Sequence, residues 1–210
     1  MPGLFVVVEG PEGAGKSTLV RALHARLLAD GHQVVMVREP GGTPVAEAAR
    51  KVALKSKHDV PPAAELFLML AARADLVARV IRPALEGGQT VLADRFDLST
   101  LAYQVAGRGL PKDEVLPALL LARGGLAPDL TLVLDVPVGV GRERQRKARK
   151  EPDRFERQDD AFHQRVADAY RRAEGPGVVH VDGSQSKKAV QEAAWREVAA
   201  VTALSNRGVS

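Results

Sequence analysis

The chain has 210 residues, 45% hydrophobic and 27% charged, a soluble globular composition with enough length for one large domain or two small ones. Its net charge of +4 comes from 30 Lys plus Arg against 26 Asp plus Glu, and much of the excess lies between Arg142 and Arg157; with aromatics at only 4%, this favours a local anion site over a nucleic-acid surface. There is no cysteine, which excludes disulfides, thiolate nucleophiles and Cys-based zinc sites and fits a reducing compartment.

The first apolar run, Leu4 to Val8, leads directly into Gly10-Pro11-Glu12-Gly13-Ala14-Gly15-Lys16-Ser17-Thr18. This stretch matches the phosphate-loop pattern G-x-x-x-x-G-K-[ST] and has the right context, a buried strand before it and an amphipathic helix, about Lys16 to Ala29, after it. Its glycines let consecutive N–H groups converge on a polyphosphate; Lys16 adds a positive charge, and Ser17 is placed to hold Mg²⁺ beside the phosphates of ATP. The carboxylate of Glu12 would be repelled by those phosphates, so it is expected to face a second ligand, and a hydroxyl would suit it. A core strand begins within four residues of the start, predicting no signal peptide, and no apolar run approaches membrane-spanning length; a cytoplasmic enzyme is expected.

Further strand-length runs follow at Val34 to Val37, Thr90 to Ala93, Leu130 to Leu134 and Val178 to Val181, separated by helical stretches. Continuous Val/Leu runs of this kind read as parallel strands covered on both faces, so the predicted fold class is a three-layer α/β domain with a five-stranded parallel sheet. Ligands then bind beyond the carboxyl ends of the strands, where Glu9-Gly10, Arg38 to Gly42, Asp94-Arg95, Asp135 and Asp182-Gly183 gather on one rim. No domain boundary is visible, so residues 1–210 are read as one domain.

Between the second and third strands, Pro61-Pro62 and Gly87-Gly88 bracket a long helix from Ala63 to Leu85. Arg73 falls on a face that should be covered, where it either snorkels outward or pairs with a buried group. The loop Arg38-Glu39-Pro40-Gly41-Gly42-Thr43 has an unusual backbone path compatible with a cis Glu39–Pro40 bond. Arg50, alone on a helix, could simply face water. At the end of the third strand, Asp94 is placed to support Mg²⁺ through water and Arg95 to fork onto phosphate oxygens. The basic run after the fourth strand, about residues 142–156, is either a solvated helix face or a lid that folds over a nucleotide and brings arginines to the transferred phosphoryl group.

Assembled, these residues resemble bacterial-type thymidylate kinases of the phosphate-loop nucleoside monophosphate kinase group. The resemblance runs through Glu9 to Thr18, Arg38 to Thr43, Ala71-Ala72-Arg73, Asp94-Arg95-Phe96, Ser99-Thr100, Ala102-Tyr103-Gln104, Gly107-Arg108-Gly109, Pro128 to Thr131 and Leu134-Asp135-Val136. It implies transfer of the γ-phosphoryl of ATP to dTMP with Mg²⁺, giving dTDP and ADP in dTTP synthesis, by a homodimer with no nucleic-acid or membrane partner. By motif it assigns Lys16 and Ser17 to ATP and metal, with Asp94 also at the metal, and Arg50 and Arg95 to the dTMP phosphate. Arg73 would hydrogen-bond thymine, Glu12 and Tyr103 would surround the deoxyribose, and Ser99, Thr100, Gln104, Glu39 and Pro40 would complete the acceptor pocket. Lys16, Arg95 and Glu12 are the expected catalytic set, joined by a lid arginine for which Arg149 and Arg154 are the candidates, while Arg142 is expected against adenine with the loop after Asp182. One departure stands out: the family usually has a stacking phenylalanine one turn before the helix arginine, and here that position is Met69, with Phe67 two residues earlier. A kinase for another nucleoside monophosphate and a nucleotide-dependent ATPase switch are the rival readings.

Overall fold

The structure, a computed structural model, describes residues 3–147 and 152–207. Five parallel strands, β1 (Phe5–Glu9), β2 (Val34–Arg38), β3 (Thr90–Asp94), β4 (Leu130–Asp135) and β5 (Val178–Asp182), form one sheet in the order β2-β3-β1-β4-β5. The expected fold class is therefore present, and each strand runs one residue further than the apolar pattern indicates. That extra residue is Glu9, Arg38, Asp94, Asp135 or Asp182, so the charged rim is built on strand ends rather than on the loops beyond them. The central strand β1 pairs with β3 on one side and β4 on the other, with Val8 opposite Asp94 and Glu9 opposite Val133. The chain leaves β1 towards β2 and leaves β4 towards β5, in opposite directions, which opens a crevice above the middle of the sheet.

Alternation along β1 explains the two helical layers. Val6 and Val8 face α1 (Lys16–Ala29) and the C-terminal α9 (Lys187–Arg207), meeting Leu19, Leu23, Ala194 and Val198. Phe5 and Val7 face the opposite layer, with Leu76, Val77, Ile81 and Phe96. Such side chains contribute roughly 1.5–3 kcal/mol each when fully buried, so the sheet's two faces carry most of the hydrophobic driving force.

Helix α2 (Pro44–Lys55) starts at Thr43, whose hydroxyl accepts from the Ala46 N–H at 3.1 Å while donating to Asp75 at 2.6 Å. The long helix expected from Ala63 to Leu85 is present as α3 (Pro62–Leu76), a π-helical turn (Val77–Ile81) and α4 (Arg82–Glu86). Pro83 explains the interruption: with no N–H and a ring that crowds the carbonyl four residues back, it favours a wider turn, and Arg82 N–H reaches back to Val77 O. A second π-helical turn, Leu101–Gly107, follows the short α5 (Asp97–Thr100) and carries Tyr103 and Gln104. Helices α6 (Lys112–Ala122), α7 (Val138–Lys147) and α8 (Asp160–Arg171) complete the fold, and the basic run is helical as far as Lys147. Among the described residues no helix is long and apolar enough to cross a membrane.

Candidate active site

The loop between β1 and α1 turns on glycines: Gly10, Gly13 and Gly15 have φ of 138°, 73° and 99°. Gly13 also meets the start of α7 so closely that a Cβ there would lie 2.1 Å from Gly141 O, and a Cβ on Gly141 would lie 2.5 Å from Glu12 O. No side chain caps α1, whose N-cap is Gly15, so its first N–H groups remain an anion site. Lys16 Nζ donates to Gly10 O at 2.9 Å and Pro11 O at 2.8 Å, held within its own loop. Burial, with the Arg95 guanidinium adding to it, pulls its ammonium down to about 7.

Two clefts meet at this loop, and Gly13, Lys16 and Ser17 line both. The first, about 280 Å³, is walled by Glu12, Glu39, Pro40, Arg50, Met69, Arg73, Arg95, Ser99, Thr100, Tyr103 and Gln104. Every residue that the sequence nominates for the acceptor is thus in one pocket. The second, about 530 Å³, runs along Ala14 to Leu19 to Arg144, Gln145, Gly183, Gln185 and Gln191. Glu12 lines the first cleft and not the second, as its charge suggested, and it accepts from Gln145 Nε2 at 3.1 Å. Burial pushes the Glu12 carboxyl up, against the pull of Arg95.

Arg73, 3% exposed, does not snorkel: its Nε donates to Glu39 Oε2 at 2.8 Å, one terminal nitrogen to Thr100 Oγ1 at 2.8 Å and the other to Phe96 O at 2.7 Å. The Glu39–Pro40 bond is cis, and Pro40 O accepts from Arg50 at 2.8 Å, which turns Arg50 inward. Burial lowers the Arg50 pKa, with nearby Arg38 adding to the effect. Met69, 9% exposed, stands in the pocket wall, whereas Phe67 is 64% exposed on the other side of α3 and offers the pocket nothing.

Arg95 holds φ at 78°, the one left-handed non-glycine conformation among the described residues. Its guanidinium donates to Tyr103 OH and Tyr170 OH, both at 3.0 Å, to Ser99 Oγ at 3.2 Å and to Gly10 O at 3.3 Å. Beneath it lies Glu9, fully buried, which accepts from Phe96 N–H at 2.8 Å, Ser99 N–H at 3.0 Å, Ser99 Oγ at 2.7 Å and Tyr170 OH at 3.0 Å. Burial pushes the Glu9 carboxyl up, opposed by Arg95. Sequence reasoning took Glu9 for a rim residue and did not single out Tyr170; in the fold both tie the Arg95 turn to the core.

At the metal position, Ser17 Oγ donates to Asp94 Oδ2 at 2.6 Å. A hydroxyl beside a carboxylate at the head of a phosphate loop is a hard oxygen donor pair that suits Mg²⁺, and no cluster of three or more His, Cys, Asp or Glu exists among the described residues, so water and phosphate oxygens would complete the shell.

Two of the nominated arginines, Arg142 and Arg154, stand differently from expectation. Arg142 pairs with Asp160 and lines neither large cleft; it is Arg144 that donates to Gly183 O, at 3.2 Å, beside the loop after Asp182. The reason is helical phase: on α7 a two-residue step carries a side chain to the opposite face. Arg154 bonds to the buried Glu65, which also accepts from the pocket residue Gln104, and to Val60 O at 3.1 Å, and lines neither large cleft. Arg149 lies outside the described residues.

The family model for thymidylate kinase matches residues 8–194. Among curated proteins, the thymidylate kinase of Pseudomonas fluorescens is 50% identical over 196 residues, covering 91% of this chain and 93% of its own. That of Deinococcus radiodurans is 42% identical over 209 residues, 98% of each chain, and that of Pseudomonas putida is 49% identical over 195 residues, 91% of this chain and 92% of its own. The phosphate loop at the head of β1, the two clefts that meet there and a match spanning nearly the whole sequence agree, and the chain belongs to the thymidylate kinase family.

Proposed function

We propose that this protein is an ATP-dependent nucleotide kinase that transfers the γ-phosphoryl of ATP to dTMP, yielding dTDP and ADP. The observation that carries this reading is the pair of clefts sharing Gly13, Lys16 and Ser17: an arrangement for two ligands whose phosphates meet, as an ATPase switch does not need. In this reading ATP occupies the larger cleft, its phosphates on the N–H groups of the loop, and dTMP the smaller one. An oxygen of the dTMP phosphate bonds to the γ-phosphorus as the bond from that phosphorus to the bridging oxygen of ADP breaks. The acceptor is already an anion, so no strong base is needed, and catalysis consists of positioning and charge neutralisation.

Arg50 and Arg95 hold the acceptor phosphate, Lys16 leaves Gly10 O and Pro11 O for the transferred group, and Arg149 is the lid arginine of this reading. Arg73 faces the base, Glu12 accepts from the 3′-hydroxyl, and the Tyr103 ring disfavours a 2′-hydroxyl. Mg²⁺ held at Ser17 and Asp94 would neutralise charge on the β- and γ-phosphates. The homodimer belongs to the same proposal, supported by large apolar side chains left open on two mutually packed helices: Phe67 at 64% on α3, and Leu120 and Leu121 at 49% and 83% on α6. A cytoplasmic location is likewise proposed, in keeping with the absence of cysteine.

The test is ADP formation from ATP with dTMP, dUMP, dCMP, dGMP or thymidine as acceptor. Preference for dTMP is expected; dTMP-independent hydrolysis, or a better turnover with another acceptor, would overturn the assignment.

A further inference from the structure

Glu65 is an acidic residue with no solvent exposure, on the first turn of α3, and it takes no part in the reaction described above. Four donors converge on it. Gln104 Nε2 donates to Oε1 at 3.0 Å, Arg108 donates to both oxygens at 3.2 and 2.9 Å, and Arg154 adds a further contact to Oε2. A carboxylate between two guanidiniums only accepts hydrogen bonds, so the Gln104 side chain must turn its NH₂ towards it. The Gln104 carbonyl oxygen then has no hydrogen-bond partner among the described residues, in a residue 2% exposed that lines the acceptor pocket.

We propose that Glu65 is a positioning residue that sets the acceptor base preference by fixing which end of the Gln104 amide faces the pocket. The inference rests on dTMP being the acceptor. Arg73 supplies the complementary half. Of its five N–H bonds, Glu39, Phe96 O and Thr100 engage all but one on a terminal nitrogen. The pocket thus presents a donor from Arg73 and an acceptor from Gln104. A pyrimidine with a 4-carbonyl and an N3–H matches that pair, while a 4-amino pyrimidine offers a donor and a bare nitrogen, the reverse polarity. Were the amide free to rotate through half a turn, its acceptor would become a donor and the discrimination would fade. Glu65 prevents the rotation without touching the base.

The test uses Glu65→Gln. An amide there has one oxygen for two arginines and an NH₂ that now favours the Gln104 oxygen, so Gln104 turns its own NH₂ to the pocket. The expected result is a dTMP KM raised about tenfold to a hundredfold with kcat changed little, and a dTMP-over-dCMP preference in kcat/KM reduced by a similar factor. Arg108→Lys is the control: it weakens the ion pair and lowers the melting midpoint, but the preference stays at the wild-type value. In a Gln104→Leu background, Glu65→Gln should change the preference no further, since its effect runs through that amide. Should Glu65→Gln not fold, the wild-type protein answers by NMR: the Gln104 side-chain NH₂, identified by its loss in Gln104→Leu, should be protected from solvent exchange before any ligand binds. Rapid exchange, an unchanged preference in a folded Glu65→Gln, or an equal loss in Arg108→Lys would each overturn the proposal. A wild-type enzyme that does not use dTMP would instead refute the function proposed for the site.

Discussion

Removing Glu9 tests whether the Arg95 turn is held from below. Glu9→Ala removes an acceptor from two backbone N–H groups at the start of α5: Phe96 N–H is left without a partner, whereas Ser99 N–H keeps Phe96 O at 3.2 Å. The two hydroxyls that also lean on Glu9 have an alternative, because Ser99 Oγ and Tyr170 OH already lie 2.8 Å apart. An orphaned buried N–H costs roughly 1–3 kcal/mol, so Glu9→Ala should destabilise by about 1–3 kcal/mol before any cavity contribution, against a typical total of about 5–15 kcal/mol. For a chain of this size that corresponds to a fall in Tm of about 2–12 °C. Glu9→Gln keeps one carbonyl oxygen for the two N–H groups and removes a charge that burial disfavours, so it should cost about 1 kcal/mol or less. Thermal melts followed by circular dichroism would order the three proteins, and kcat would report Arg95, which loses the Glu9 counter-charge in both variants. Equal melting of Glu9→Ala and Glu9→Gln, or a Glu9→Ala protein within 2 °C of wild type, would refute the reasoning.

Met69→Phe should keep kcat and lower the dTMP KM, since an aromatic ring in that wall can stack on a base; a large loss of activity in steady-state assays would mean that the side chain is needed to fill the core. Lys16, with its pKa brought down to about 7, should take up a proton when a polyphosphate restores its charge. Between pH 7 and its unfolded value near 10.5 the free enzyme holds fewer protons than the complex, so affinity for metal-free ADP should fall as pH rises through that window; calorimetry in buffers of different ionisation enthalpy measures the uptake. Thr43→Val removes the cap of α2 and the bond to Asp75, with an expected loss of about 1–2 kcal/mol, seen as a fall in Tm of about 2–8 °C at unchanged KM for ATP.

The parts of the fold that the sequence made legible are those set by local pattern. All five strands begin within a residue of their apolar runs: the three central strands are buried on both faces, and the half-buried edge strands β2 and β5 still consist mostly of valine. The phosphate loop was legible for the same reason: its function is fixed by consecutive residues. Arg73 was only half legible, since its period on α3 predicted a covered face but not that Glu39, 34 residues earlier, would meet it there. Glu9 and Glu65 were not legible as hubs. Their partners lie 39 to 161 positions away, and a single acidic residue at a strand end or in a helix's first turn is the ordinary place for a solvated one. The arginines of α7 illustrate a different limit: Arg142 and Arg144 lie on opposite faces of the helix, and the sequence did not say which face packs towards Gly183.

The contact between Gly13 and Gly141 bears on how such a protein could change over time. Two backbones touch there with no side chain between them, so neither position has anything left to shorten if the other grows. The spacing between the phosphate loop and the root of α7 is therefore at its floor, and the pair behaves as one position that tolerates no exchange. Variation along α7 has to begin after this fixed point, at Arg142 to Arg146, where the side chains are long and half-buried or exposed.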